Sequence, residues 1–184
     1  MRVKQPAPSF QAKHASTLAI TPYFSVVLEE VTLPNGKVID YYTIRFPRPA
    51  VGVVVRRADE FLLIRQYRFM VDEWVWAIPS GGIGNAESPE DAARRELLEE
   101  TGYSAPTLQP LIHYYPSYGC GDQQFQLLLA DNPEQKTSVF DRNEVEEIRW
   151  FHRDELRSMI AANAIVDGLS LVPLMLVLLH DFEH

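Results

Sequence analysis

The densest concentration of reactive side chains lies between Gly81 and Tyr103. Glu96 and Glu100 are four residues apart, so a helix would stand them on one face, with Glu99 on the neighbouring stripe. Like charges at this spacing repel and destabilise an isolated helix. A hard divalent cation is the natural offset. Mg²⁺ takes oxygen ligands and is usually held by one or two carboxylates together with substrate phosphates. Arg95 can pair with a neighbouring acid and hold it in orientation. The glycine-rich loop before the helix lets backbone approach a ligand closely. Taken alone, the three carboxylates read more plainly as a solvated helix face.

The elements that must position these groups are legible around them. Ser88-Pro89-Glu90-Asp91 has a capping serine, a proline at the first helical position and acids in the first turn, and Gly102 supplies a stop. A helix over 89–101 follows. Residues 50–57 and 61–67 are near-continuous apolar runs with a turn between them, which predicts buried strands. Residues 24–32 and 38–45 are rich in β-branched and aromatic types and flank Asn35-Gly36, the signature of a hairpin. Phe46-Pro47-Arg48-Pro49 breaks the chain and marks the boundary between an N-terminal part (1–48) and a larger domain (49–184). Further strands are predicted at 108–115, 123–130 and 145–151, and helices at 153–162 and 167–181. Residues 1–20 read as a loose arm and 79–85 as a flexible loop.

Composition narrows the class of function. The chain has 184 residues, one cysteine and a formal net charge of −8. Lone Cys120 excludes an intramolecular disulfide framework and a cysteine-rich zinc site. The acidic total argues against broad nucleic-acid binding, which neutralises phosphates with Lys and Arg. Residues 1–80 carry +3, residues 81–103 carry −4 and the remainder −7. No signal peptide is read in residues 1–20, and the apolar stretch Leu169 to Leu179 is too short to span a bilayer. A soluble cytoplasmic protein with no membrane partner is expected.

The full pattern overturns the plain reading of the acidic helix. Gly81, five residues, Glu87, seven residues, then Arg95-Glu96-Leu97-Leu98-Glu99-Glu100-Thr101-Gly102-Tyr103 is similar to the Nudix box in every specified letter. Seven fixed letters recur by chance on the order of once in 10⁸ starting points at ordinary residue frequencies. Gln66-Tyr67-Arg68, Trp76-Ala77-Ile78-Pro79-Ser80-Gly81 and Tyr115-Pro116-Ser117-Tyr118-Gly119 further resemble the ADP-ribose pyrophosphatase branch of Nudix hydrolases. The resemblance implies an α+β fold: a Nudix α/β/α sandwich with a mixed sheet, preceded by a small antiparallel β subdomain. It also implies a homodimer formed through the N-terminal part. Glu96, Glu99, Glu100 and the backbone carbonyl of Ser80 match metal-ligand positions for Mg²⁺ or Mn²⁺, with Glu99 also a candidate base. Arg95 and Glu87 match supporting positions, and Arg68 matches an arginine that contacts the diphosphate.

The chain departs from the branch at two places. Tyr118 stands where a proline is usual, in a segment that places Gln123 at a glutamate often given the general-base role. An amide cannot take a proton from water at neutral pH. Asp122, Glu99, or an acid among Glu144, Glu146 and Glu147 would then serve. Ala77 replaces a second usual glutamate. Tyr41, Tyr42, Trp74 and Trp76 are candidates to stack a base, with Tyr41 and Trp76 preferred as substrate-binding residues. Cys120, His113 and His152 are not assigned chemistry, and the His180–His184 pair is read as a frayed terminus.

The expected activity is Mg²⁺-dependent cleavage of a nucleoside diphosphate linked to another moiety, with ADP-ribose giving AMP and ribose 5-phosphate. The competing readings are a GDP-mannose or other nucleotide-sugar pyrophosphatase and, in a different class, a non-catalytic nucleotide-sugar sensor.

Overall fold

A computed structural model describes residues 10–179. The pair His180 and His184 lies outside the described residues. The chain divides into two compact units, one running to Pro47 and including Ser117–Gln123, the other comprising Arg48–Pro116 and Gln124 onward.

The first unit is an antiparallel meander of β1 (Gln11–Ile20), β2 (Ser25–Thr32) and β3 (Val38–Arg45). The β2–β3 turn is the expected one. Gly36 takes φ +81°, and the Asn35 side chain accepts the Lys37 N–H at 3.0 Å. Ser117–Gln123 belongs to this unit because Ile44 donates its N–H to the Cys120 carbonyl at 2.8 Å and Asp122 Oδ1 accepts the Phe46 N–H at 2.8 Å.

Strand β1 corrects the expected loose arm. Its residues pair with β2 from Gln11↔Thr32 to Ile20↔Ser25. All ten of its residues are exposed, so no buried face imposed an alternating pattern on the sequence. Backbone pairing alone defines this strand.

The second unit contains β4 (Ala50–Arg57), β5 (Glu60–Arg68), β6 (Glu73–Ala77), β7 (Ser80–Gly82), α1 (Pro89–Thr101), β8 (Tyr103–Ser104), β9 (Leu108–Tyr114), β10 (Phe125–Asp131), β11 (Glu134–Gln135), β12 (Glu147–His152), α2 (Arg153–Ala161) and α3 (Gly168–Leu179). Its main sheet has the order β12-β5-β4-β10-β9, with β6 added to β5 and β7 to β4. The sheet is mixed, because β10 runs parallel to β4 while the other pairings are antiparallel.

Both faces of the sheet are covered. Val54, Phe61, Leu63, Leu127 and Leu129 pack under Leu156 of α2 and Leu169 and Leu174 of α3. Their alternate neighbours Val53, Val55, Leu62, Leu128 and Ala130 pack under Ala92, Ala93 and Leu97 of α1. This two-sided burial is why the central strands read as continuous apolar runs. The result is the expected α/β/α sandwich. Two strands went unread in the second unit's site region. Ser80–Gly82, expected in a loop, pairs with β4 (Val51↔Gly81), and Glu73–Ala77 pairs with β5.

Candidate active site

Helix α1 and strand β7 bring the box residues together. Ser88 caps the helix by accepting the Asp91 N–H, and Gly102 ends it in the left-handed conformation at φ +73°. Between these fixed ends, Ala92, Ala93 and Leu97 are buried against the sheet. Glu96 and Glu100 fall on the edge of that buried face and are themselves buried.

Two contacts fit the helix to the strand. The Ser80 N–H donates to Glu100 Oε2 at 2.7 Å. The carboxylate of Glu96 lies so close over Gly81 that any Cβ there would overlap it. Gly81 is therefore required by the side chain it faces. Gly84 serves differently: its N–H donates to Glu87 Oε2 at 2.7 Å and fixes the loop.

Arg95 organises the acids. Its Nε donates to Glu87 Oε1 at 2.9 Å, one terminal nitrogen reaches Glu96 Oε1 at 2.7 Å and Glu99 Oε2 at 3.2 Å, and the other reaches the Gly82 carbonyl at 3.0 Å. The Arg95 hydrogen bonds, with the Gly84 N–H, hold Glu87 below the usual carboxylate range. Glu87 in turn is the largest of the influences that hold Arg95 charged.

The two buried acids shift the other way from Glu87, upward. Burial pushes the Glu100 carboxyl up to about 8, against the Ser80 N–H, with Glu96 and Glu144 adding repulsion. Burial also raises Glu96, against its hydrogen bond to Arg95, with Glu99 and Glu144 reinforcing the rise. These groups face a cleft of about 880 Å³ bounded by Ser80, Gly81, Glu96, Glu99, Glu100 and Glu144.

Among the described residues, no three His, Cys, Asp or Glu side chains stand in ready metal-ligand geometry. Arg95 holds Glu96 and Glu99 in that arrangement. The donor set nevertheless suits a hard cation. It consists of oxygens alone, and Glu96, Glu99 and Glu100 set three carboxylates around the cleft against the single guanidinium of Arg95, which Glu87 also shares.

A second cleft of about 430 Å³ adjoins the first and shares Ser80, Glu100 and Glu144 with it. Arg68 lines this second cleft and favours the charged form of Glu100. The fold thus gathers Ser80, Arg95, Glu96, Glu99 and Glu100 at one cleft and Arg68 at its neighbour. Trp76 stands elsewhere, edge-on to Phe151 at 4.8 Å within the core beneath α2 and α3. Its strand neighbour Trp74 borders the second cleft. Asp122 and Tyr41 belong to the first unit. There Asp122 also pairs with Arg45 at 3.2 Å, and the Tyr41 hydroxyl donates to the Gly119 carbonyl at 2.5 Å.

Sequence reasoning named Glu144 as a candidate acid but did not read the turn that carries it and completes the clefts. Asp141 accepts the Asn143 N–H on Oδ1 at 2.8 Å, and its carbonyl accepts the Val145 N–H at 2.9 Å. The turn is anchored at both ends, by Asp141 N–H to the Glu99 carbonyl at 3.0 Å and Glu146 N–H to the Arg65 carbonyl at 2.9 Å. Val145 is buried with Ile64 and Ala77. Only the Asp-x-Asn spacing hinted at the turn locally.

Residues 46–168 match the NUDIX domain model. The chain belongs to the Nudix family and is a Nudix hydrolase. It is 30% identical over 156 residues to the CMP-5'-(N-acetyl-N-hydroxy-3-aminopropyl)phosphonate hydrolase of Streptomyces rubellomurinus, covering 85% of this chain and 76% of that one. It is 28% identical over 144 residues to the ADP-ribose pyrophosphatase of Bacillus subtilis, covering 77% of each. A crystal structure of an ADP compounds hydrolase superposes with a TM-score of 0.84 at 21% identity, covering 95% of both chains. Among the described residues, no helix is long and apolar enough to cross a membrane.

Proposed function

We propose that this hydrolase cleaves the phosphoanhydride of a nucleoside diphosphate linked to a sugar, with ADP-ribose giving AMP and ribose 5-phosphate. The observation that carries the reading is the junction of the two clefts at Glu100, with Glu96 and Glu99 lining the first and Arg68 the second. Glu96, Glu99, Glu100 and the Ser80 carbonyl would hold Mg²⁺. Bound by these groups, the cation would supply Lewis acidity, lowering the pKa of an attacking water and neutralising charge on the phosphoryl oxygens.

The remaining work falls to this chain's own side chains. Arg95 orients Glu96 and Glu99 through the bonds described above. Arg68 offers a planar guanidinium to phosphate oxygens. Glu144 borders both clefts and takes the proton of the attacking water. Glu147, by comparison, pairs with Arg65 at 3.7 Å. The exposed strand β1, with Leu18 and Ile20 and with Phe10 just before it all exposed, supports a homodimer built through the N-terminal unit.

The CMP-phosphonate-hydrolysing relative favours a second reading, in which the nucleotide is CMP and the other half a phosphonate. The test is a panel of ADP-ribose, GDP-mannose, UDP-glucose and a CMP-phosphonate at equal concentration with Mg²⁺. Fastest release of AMP from ADP-ribose supports the first reading. Fastest release of CMP replaces it with the second. Tight binding of ADP-ribose without turnover of any compound would make the chain a sensor.

A further inference from the structure

We propose that Arg142 is a second anion-binding arginine, which with Arg68 grips the substrate's diphosphate from the second cleft, beside Glu100 and Glu144. This rests on the reading of the site as a phosphoanhydride hydrolase and adds to it a residue and a direction of binding.

The argument starts from where free positive charge stands. In the first cleft the cation is Arg95, and it is committed to three carboxylates and a carbonyl. Among the described residues lining that cleft, none offers an incoming polyanion an unpaired cation. The second cleft differs. Arg68 and Arg142 both line it, and among the described residues neither has an ion-pair partner. Unpaired guanidinium groups beside Glu100 and Glu144 offset the repulsion those acids exert on a phosphate.

Arg142 is also well mounted for this task. Its guanidinium lies over the Phe140 ring at 5.1 Å, which limits its freedom without using its donors. Its backbone belongs to the turn anchored on Glu99 and Arg65, so ordering the arm on binding costs less entropy than ordering a free loop. The turn presents Arg142 and Glu144 together. Arg68 comes from the end of β5 and Arg142 from the turn before β12, so the two arginines approach the cleft from different elements. Five donors in a fixed fork on each suit the oxygens of adjacent phosphoryl groups.

The test uses Arg142→Ala and Arg142→Lys in the full chain, with inorganic pyrophosphate as probe. Pyrophosphate is titrated calorimetrically in divalent-free buffer, where the protein's cations alone hold it. Arg142→Ala is expected to weaken binding about tenfold, the loss typical of a charged hydrogen bond. Arg142→Lys should recover part of that loss, because charge returns without the fork. With Mg²⁺ present, KM for ADP-ribose should rise about tenfold in Arg142→Ala while kcat changes little. Unchanged pyrophosphate affinity in Arg142→Ala would overturn the proposal, as would a loss of kcat with KM unchanged. The titration needs no turnover, so it judges Arg142 even if every compound in the substrate panel fails. Turnover of ADP-ribose with unaltered behaviour of Arg142→Ala would leave the hydrolase reading intact and remove Arg142 from it.

Discussion

The carboxylate of Glu96 occupies the space in which a side chain at residue 81 would stand. A helix side chain and a strand backbone are thereby fitted to each other across the floor of the cleft. Ser80 N–H to Glu100 Oε2, at 2.7 Å, repeats the relationship one helical turn further on.

Gly81→Ala tests this fit. The new methyl group must displace the Glu96 carboxylate, and β7 cannot retreat because it is paired to β4. Overpacking of this kind costs about 1–3 kcal/mol. Activity is expected to fall by more than tenfold, with Tm lowered by a few degrees. Wild-type activity in Gly81→Ala would show that Glu96 need not lie where it is seen.

Glu100 sets a pH dependence for the cation-free protein. Its carboxyl is pushed up to about 8 from an ordinary 4.5, so the native state holds this proton more tightly than the unfolded chain does. Stability must then fall as pH rises through that window, since ionising Glu100 in place is unfavourable. Burial raises Glu96 in the same direction. Thermal melting in EDTA should give a higher Tm near pH 5 than near pH 8, and Glu100→Gln should flatten the difference. Equal slopes for wild type and Glu100→Gln would remove Glu100 as the cause.

Arg95→Ala strips the ties from Glu87, Glu96 and Glu99 at once. The acids lose their common orientation and the positive charge that balances them. A fall in kcat/KM of about 10² or more is expected, with Arg95→Lys recovering little because one ammonium cannot span these partners. Steady-state kinetics at saturating Mg²⁺ would measure it. Substantial rescue by lysine would mean that charge alone matters.

Trp76→Leu separates packing from binding. The indole meets Phe151 edge-on at 4.8 Å, and its loss should cost roughly 2 kcal/mol of stability. KM for ADP-ribose should be unchanged. A raised KM at unchanged Tm would place Trp76 at the substrate.

What the sequence revealed follows from where each signal is stored. Helix α1 was legible to the residue because Ser88 and Gly102 carry local capping chemistry that needs no distant partner. The central strands were legible because both their faces are buried. Strand β1 was not, because exposure leaves no hydrophobic pattern to read. Strand β7 was hidden by its own glycines, whose pairing with β4 is decided by chain segments some thirty residues apart. The box itself named Arg95, Glu96, Glu99 and Glu100. The turn at Asp141–Val145, which carries Arg142 and Glu144, depends on backbone bonds to Glu99 and Arg65 that no local spacing encodes.

The most direct measurement is release of AMP from ADP-ribose by wild type and Glu100→Gln, with Mg²⁺ and with EDTA. Wild type should turn over only with the cation, and Glu100→Gln should lose about 10² or more in kcat while keeping its fold. Glu100→Gln retaining most of the wild-type rate, or wild type working fully in EDTA, would contradict a cation-dependent centre built on Glu100.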